Sequence, residues 1–218
     1  MRRLAVDLGE RSYPILIGAG LLQQAAHFFE ERGIDKRSPL LIVTDDHVAP
    51  HYLQSLQQAL ETGGFKVHSH VVPSGESTKS LAFLEQIVTK ALQAGLDRKS
   101  AIVALGGGMV GDLAGFAAAS YMRGIRFVQV PTTVLAHDSS VGGKVAVNHP
   151  LAKNTIGAFH QPELVLYDTD TLRSLPEREL RAGYAEVVKH GLIWDKSFAY
   201  WCEDNAEQLL QLNPEKLE

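Results

Sequence analysis

Apolar and polar positions along this chain fall into two alternating textures. Residues 3–8 and 12–17 are short segments of strand character around Gly9-Glu10-Arg11, which predicts an opening hairpin. Leu21 to Arg32 then carries apolar residues at helical spacing and is closed by Gly33. Pro39 to Asp45 is a short continuous apolar run that ends in polar residues, as a strand buried on both faces does. The pattern repeats with a helix from about Ala49 to Thr62 closed by Gly63-Gly64, a strand from Lys66 to Pro73 and a helix from Thr78 to Gly95. A strand from Ser100 to Leu105, a helix from about Val110 and a strand from Ile125 to Pro131 follow. In the third helix Leu81, Leu84, Ile87, Val88, Ala91 and Leu92 form one apolar stripe.

Strands alternating with helices over short connections predict an α/β fold, a Rossmann-like parallel sheet covered by helices. Ligands of such sheets bind beyond the carboxyl ends of the strands. Here those ends are Asp45, Pro73 to Glu76, Gly106 to Gly108 and Pro131-Thr132-Thr133. From about Asp168 the texture becomes helical, with Arg181 to Trp194 and Phe198 to Leu212 as helices, no further strand, and another helix starting at 213–218. The expected division is an α/β domain over 1–167 and the beginning of a helical domain over 168–218.

Composition narrows the function classes. The chain has 218 residues, 45% hydrophobic and 21% charged, enough for a sizeable core. Its net charge of −4, without a basic run, argues against a nucleic-acid surface and for a small-molecule ligand. The single Cys202 can form neither an internal disulfide nor a thiolate zinc cluster, which fits a reducing compartment. Met-Arg-Arg is followed by no apolar leader region, and no apolar run reaches the ~18 residues that a membrane span needs. The expectation is a cytoplasmic protein without membrane insertion.

Four segments carry candidate chemistry. Leu105 to Asp112 places glycines between a buried strand and a helix, where backbone N–H groups and the helix terminus can receive a phosphate. Gly106, Gly108 and Gly111 satisfy G-x-G-x-x-G, but no acid follows about 20 residues on, so a ribose-binding acid is sought at Asp45 or Glu76 instead. Without a ligand the same loop is simply a tight strand-to-helix turn. Pro73 to Lys79 sets an acid and a base three residues apart at a strand-to-helix junction, which by itself reads as a cap with solvated charges. Ala136 to Lys144 gathers a histidine, a carboxylate, two hydroxyls, a glycine pair and a lysine, and Lys153-Asn154 follows; cations and close backbone approach suit an anionic substrate. His137 alone reads equally as a structural or a catalytic histidine. Glu186 and His190, four apart, share a helix face and offer two ligands to a divalent ion, but no third ligand follows, and a solvated helix face is the plainer alternative.

In order and spacing these segments, with Val43-Thr44-Asp45, Gly157 to Pro162 and Gly183 to Lys189, resemble the 3-dehydroquinate synthase family over essentially the whole chain. The resemblance implies a lyase that uses catalytic NAD and a divalent metal, Zn²⁺ or Co²⁺. It would convert 3-deoxy-D-arabino-heptulosonate 7-phosphate to 3-dehydroquinate and phosphate in the shikimate pathway to chorismate and the aromatic amino acids. It also implies a cytoplasmic homodimer. Carried over by position, Asp45 would bind the adenosine ribose with Glu76 and Lys79 beside it. Gly107, Gly108 and Met109 would line the pyrophosphate; Asp112, Thr132, Thr133, Leu135, Thr171 and Ser174 would complete the cofactor site. Asp138 would hold the nicotinamide end, and Lys144, Lys153 and Asn154 would grip the substrate beside the cofactor. Arg123 would reach the phosphate in a neighbouring subunit. Glu186 would be the first metal ligand and Lys189 its neighbour.

The sequence departs from the family in places. Family members are considerably longer and take two further histidine ligands from their helical domain, so the 218-residue chain is expected to bind NAD⁺ weakly and to turn over negligibly. Met109 and His47 stand where relatives often carry Val and Asn. The competing expectations are another sugar-phosphate cyclase of the deoxy-inosose or valiolone type, a metal-dependent glycerol or alcohol dehydrogenase, and a non-catalytic NAD-binding module.

Overall fold

A computed structural model describes residues 1–217. It opens on the expected hairpin, β1 (Arg2–Val6) paired antiparallel with β2 (Tyr13–Gly18). Next come α1 (Ala25–Glu31), β3 (Leu40–Asp45), α2 (Ala49–Thr62), β4 (Val67–Val72), α3 (Leu81–Gln93), β5 (Ala101–Gly106), α4 (Gly108–Ser120) and β6 (Arg126–Pro131). Beyond them lie the short α5 (Ala136–Ser139), β7 (Lys144–His149), β8 (Ala152–Phe159) and β9 (Leu164–Asp168). The chain closes with α6 (Glu177–Trp194), α7 (Lys196–Asp204), α8 (Ala206–Leu210) and α9 (Pro214–Leu217).

Seven strands form one sheet in the order β1-β2-β9-β6-β5-β3-β4, parallel except for β1. Every residue of β3 and β5 is buried, because alternate side chains enter two different cores. Leu40, Ile42, Val103 and Leu105 join Phe29 of α1 and Leu56 and Leu60 of α2 on one face. Leu41, Val43, Ile102 and Ala104 join Ile87 and Ala91 of α3 and Leu113 and Ala114 of α4 on the other. Helices α2 and α3 therefore cross on opposite faces, and β4 and β5 flank β3 on opposite sides. The strand order reverses between β3 and β5, and a crevice opens beyond their carboxyl ends.

The structure corrects the sequence reading in five places. β7 and β8 form a separate antiparallel sheet where the sequence reading assigns no element, and β8 gives no apolar signal because most of its residues are exposed. β9, a five-residue apolar run that the sequence reading passes over, enters the main sheet between β2 and β6. Helix α4 starts at Gly108, not Val110, and a 3-10 turn over Glu76–Thr78 precedes α3, which starts at Leu81. The single helix expected over 198–212 is broken at Asn205 into α7 and α8, while the side chain of Asp195 caps α7 by accepting from Ser197 N and Phe198 N at 2.9 and 3.2 Å.

Gly115 fixes how closely the small sheet approaches α4. A Cβ there would lie 2.4 Å from Val145 Cγ1 and 2.9 Å from the Phe127 ring, both fully packed. Gly115→Ala gains ~1 kcal/mol of helix propensity but overpacks a core with nowhere to yield. The expected net loss is ~1–3 kcal/mol in urea unfolding; an unchanged or raised midpoint contradicts this packing.

Candidate active site

The crevice between β3 and β5 is lined first by backbone. β5 ends at Gly106, and Gly107 turns the chain into α4 without any side-chain cap. The first intrahelical bond, Gly111 N to Gly107 O at 3.0 Å, leaves the amides of Gly108, Met109 and Val110 ahead of the ladder. Uncapped amides at a helix start favour an anion. Side chains are excluded from the turn: a Cβ on Gly107 would lie 3.1 Å from Thr133 Cγ2, and one on Gly108 2.9 Å from Ser139 Oγ.

Beside this turn the end of β6 is tied to β5 by Thr132 N donating to Gly106 O at 3.0 Å. The Thr132 hydroxyl is buried without a hydrogen-bond partner, and a polar ligand group would satisfy it. Thr133 Oγ1 accepts from Ala136 N at 3.2 Å and starts α5, while the Tyr167 hydroxyl donates to Thr133 O at 2.6 Å. Burial pushes the Tyr167 phenol well above its usual range, so it stays a donor. Leu135 is exposed on the rim.

At the β3 end Asp45 is buried, and its Oδ1 accepts from His47 N and Val48 N, both at 2.9 Å. Asp46 Oδ1 accepts from Ser74 N at 2.9 Å; hydrogen bonding from the Ser74 side chain first, and from its backbone N, holds the Asp46 carboxyl below the usual range, and His47 Nε2 lies 3.2 Å from Ser74 Oγ. These contacts stitch β3 to the turn after β4. Thr171 and Ser174 lie in a 3-10 segment after β9, where the Tyr52 hydroxyl of α2 reaches Thr171 O at 2.9 Å and Ser174 Oγ at 2.8 Å. The Thr171 hydroxyl is already committed, donating to Asp168 O at 2.7 Å.

Lys79 is the hub of the polar side chains. Only 5% exposed, its ammonium pairs with the Asp112 carboxylate on α4 and donates to Asn154 Oδ1 on β8 at 2.5 Å. Asn154 holds a left-handed backbone, φ 57°, which asparagine tolerates better than most residues. Burial raises the Asp112 carboxyl above its ordinary value, and the bond from Lys79 opposes that rise. Around the hub lie Lys153, 3.9 Å from Glu76, and Lys144, 3.9 Å from Asp138. Asp112, Asp138, Ser139, Lys144 and Asn154 line a cleft of about 490 Å³ between α4 and the small sheet. The candidate residues from Asp45 to Asn154 are thus gathered at one end of the sheet, with Arg123 the exception.

Arg123 lies beyond the opposite end of α4, exposed, with φ 70°, and does not reach this cleft within its own chain. Glu186 pairs with Lys189 on α6, three residues along. The ring of His190 packs edge-on against His137 with centroids 5.4 Å apart. His137 Nδ1 is 2.6 Å from Val134 O, and its Nε2 is buried without a partner. Among the described residues no group of three or more His, Cys, Asp and Glu side chains is placed to hold a metal ion. A larger cavity, about 640 Å³, is mainly apolar and lies between the β1–β2 hairpin and the last helices, with no residue of the glycine turn in its lining. Sequence reasoning missed Asn148, which links Glu76 to Asn154; its only signal was a polar residue ending the Val145-Ala146-Val147 run.

The family model for the N-terminal part of 3-dehydroquinate synthase matches residues 69–182, more than half the chain. The chain belongs to the 3-dehydroquinate synthase family. A 3-dehydroquinate synthase of Geobacillus kaustophilus is 53% identical over 212 residues, 97% of this chain and 58% of the relative. The chain therefore spans a little under three fifths of that synthase's length. Among solved structures, 2-deoxy-scyllo-inosose synthase complexed with carbaglucose-6-phosphate, NAD⁺ and Co²⁺ is similar at TM-score 0.81 and 31% identity, covering 88% of this chain and 52% of that one. The 2-epi-5-epi-valiolone synthase of Streptomyces hygroscopicus, with NAD⁺ and Zn²⁺ bound, also matches at TM-score 0.81, with 28% identity over 97% of this chain and 57% of that one.

Removing the hub cation tests the geometry of this family member. Lys79→Met leaves the half-buried Asp112 carboxylate without its partner, an expected cost of ~1–3 kcal/mol at neutral pH. Without Lys79 the folded-state pKa of Asp112 stands further above its unfolded value, so stability is retained below the unfolded value and lost as pH rises through the folded one. The deficit against wild type, followed by denaturation from pH 7 downwards, should shrink with acidification. A pH-independent deficit contradicts the pairing.

Proposed function

We propose that this chain is the nucleotide-binding portion of a 3-dehydroquinate synthase, acting on 3-deoxy-D-arabino-heptulosonate 7-phosphate to give 3-dehydroquinate and phosphate. The observation that carries the reading is the uncapped glycine turn at the reversal of strand order, beside an unpartnered Thr132 hydroxyl and opposite a lysine-bearing hairpin. Residues 1–167 form the NAD-binding domain and 168–218 the beginning of a helical domain.

NAD⁺ held there supplies a hydride acceptor that is restored within each turnover. The amides of Gly108 and Met109, with Gly107, receive its pyrophosphate, and Asp45 takes the adenosine ribose with Glu76 and Lys79 beside it. Thr132, Thr133, Leu135, Asp112, Thr171 and Ser174 close around the rest, and Asp138 orients the nicotinamide end. Lys144, Lys153 and Asn154 bind substrate through charge-assisted hydrogen bonds and offset charge on the departing phosphate. Arg123, exposed at the far end of α4, serves the neighbouring subunit of a homodimer. The setting is the cytoplasm.

A divalent ion, Zn²⁺ or Co²⁺, of the kind that acts as a Lewis acid, would take Glu186 as a ligand, with Lys189 beside it. The described residues do not complete such a site, and the roles given above to Lys144, Lys153 and Asn154 do not depend on it. The 53% identity to a dehydroquinate synthase, against 31% to the deoxy-inosose enzyme, favours dehydroquinate formation over the other cyclisations.

In the complete protein that carries this chain, heptulosonate phosphate with catalytic NAD⁺ and Zn²⁺ should release phosphate without net NADH. Lys153→Ala should lower kcat/KM about 10- to 100-fold, the range for one charge-assisted hydrogen bond. Stoichiometric NADH without phosphate would replace this reading with a dehydrogenase, and bound NAD⁺ with no turnover would replace it with a binding module.

A further inference from the structure

At an irregularity in its own ladder the small sheet sets one asparagine against the junction between β4 and α3. Along β7 and β8 the register runs from Lys144 opposite Phe159 to Val147 opposite Ile156, then resumes at His149 opposite Ala152 with a bulge between. In that interval the single residue Asn148 on β7 stands opposite three on β8, Lys153 to Thr155, and none of the four is in register. A bulge re-aims the side chain it carries.

Freed from the ladder, Asn148 makes three contacts outside ordinary strand pairing. Its backbone N donates to Lys79 O at 2.8 Å, its Nδ2 to Glu76 Oε1 at 2.7 Å, and its Oδ1 accepts from Asn154 N at 2.9 Å. One amide group thus faces a carboxylate with its donor and a backbone N–H with its acceptor. A carboxylate there lacks the donor, and a hydrocarbon lacks both donor and acceptor. The Asn154 that it holds is the residue with φ 57° whose Oδ1 meets the Lys79 ammonium, and Lys153 beside it lies 3.9 Å from the same Glu76 oxygen.

We propose that Asn148 is a positioning residue: it locks the β7–β8 hairpin onto the junction between β4 and α3, and so sets Lys153 and Asn154 against Glu76 and Lys79. Its value for the reaction rests on the assignment of Lys153 and Asn154 to the substrate. The lock itself is a property of the unliganded chain.

Hydrogen exchange at the Asn154 amide reads the lock without substrate, cofactor or turnover. In Asn148→Asp one oxygen can still accept from Asn154, but the other faces the Glu76 carboxylate. Exchange at Asn154 should quicken about tenfold, the factor for losing one hydrogen bond of ordinary strength. Adding Glu76→Gln reverses the direction of the bond, since the new amide can donate to the carboxylate introduced opposite it; exchange should return to within about threefold of the wild type. A general loss of structure would not be repaired by that second change. Asn148→Ala, which removes both contacts, should match or exceed the single aspartate variant, with far-UV circular dichroism confirming that each variant is folded. Unchanged exchange in both single variants, or a double variant no better protected than Asn148→Asp, overturns the proposal. Either result would leave the phosphate-release test of the proposed function standing on its own.

Discussion

An ammonium ion taken out of water must be matched, and Lys79 is matched by two elements distant from it in the sequence. Its partners, Asp112 on α4 and Asn154 on β8, lie 33 and 75 residues away. Leaving such a charge unpaired costs several kcal/mol, so the pairing draws together the junction before α3, the glycine-turn helix and the small sheet. Everything polar around the cleft depends on that match. Glu76, Lys153 and Asn148 are arranged about the same point, and Lys144 and Asp138 face the same cleft.

The central strands make this convergence possible. Over β3, β5 and β6 both faces are covered, so polar chemistry is confined to where those strands stop. At β5 the stop is a glycine because side chains would collide: a Cβ at Gly106 would lie 2.7 Å from Val110 Cγ2, and one at Gly111 2.7 Å from Gln129 Oε1. Glycines inside α4 weaken it by roughly 1 kcal/mol each relative to alanine. The compensation is close packing, of the sheet against Gly111 and of Val145 and Phe127 against Gly115, which brings Lys144 to the mouth of the cleft.

Much of this framework was legible in the sequence because buried parallel strands write themselves as continuous apolar runs. β3, β5 and β6 were found that way, and the opening hairpin by its central turn. β8 was not, since a strand exposed along most of its length leaves no hydrophobic signature. The start of α4 was placed late because Gly108 and Gly111 are poor helix formers on propensity alone. At the site, the glycine turn and Asp45 followed from strand ends, but the meeting of Lys79 with Asp112 and Asn154 is tertiary and has no local trace. Helical spacing placed Glu186 and His190 on one face; packing instead pairs Glu186 with Lys189 and turns His190 toward His137.

The central claim is that the crevice between β3 and β5 is where a dinucleotide is held. Backbone amide shifts during a titration of the 218-residue chain with NAD⁺ test it most directly. The account predicts the largest changes at Gly107 to Val110 and at Thr132 and Thr133, with smaller ones at Asp45 and none at Arg123 on the far end of α4. Changes concentrated in the apolar cavity around Ile15, Ile17 and Trp201, with the glycine turn silent, would contradict it.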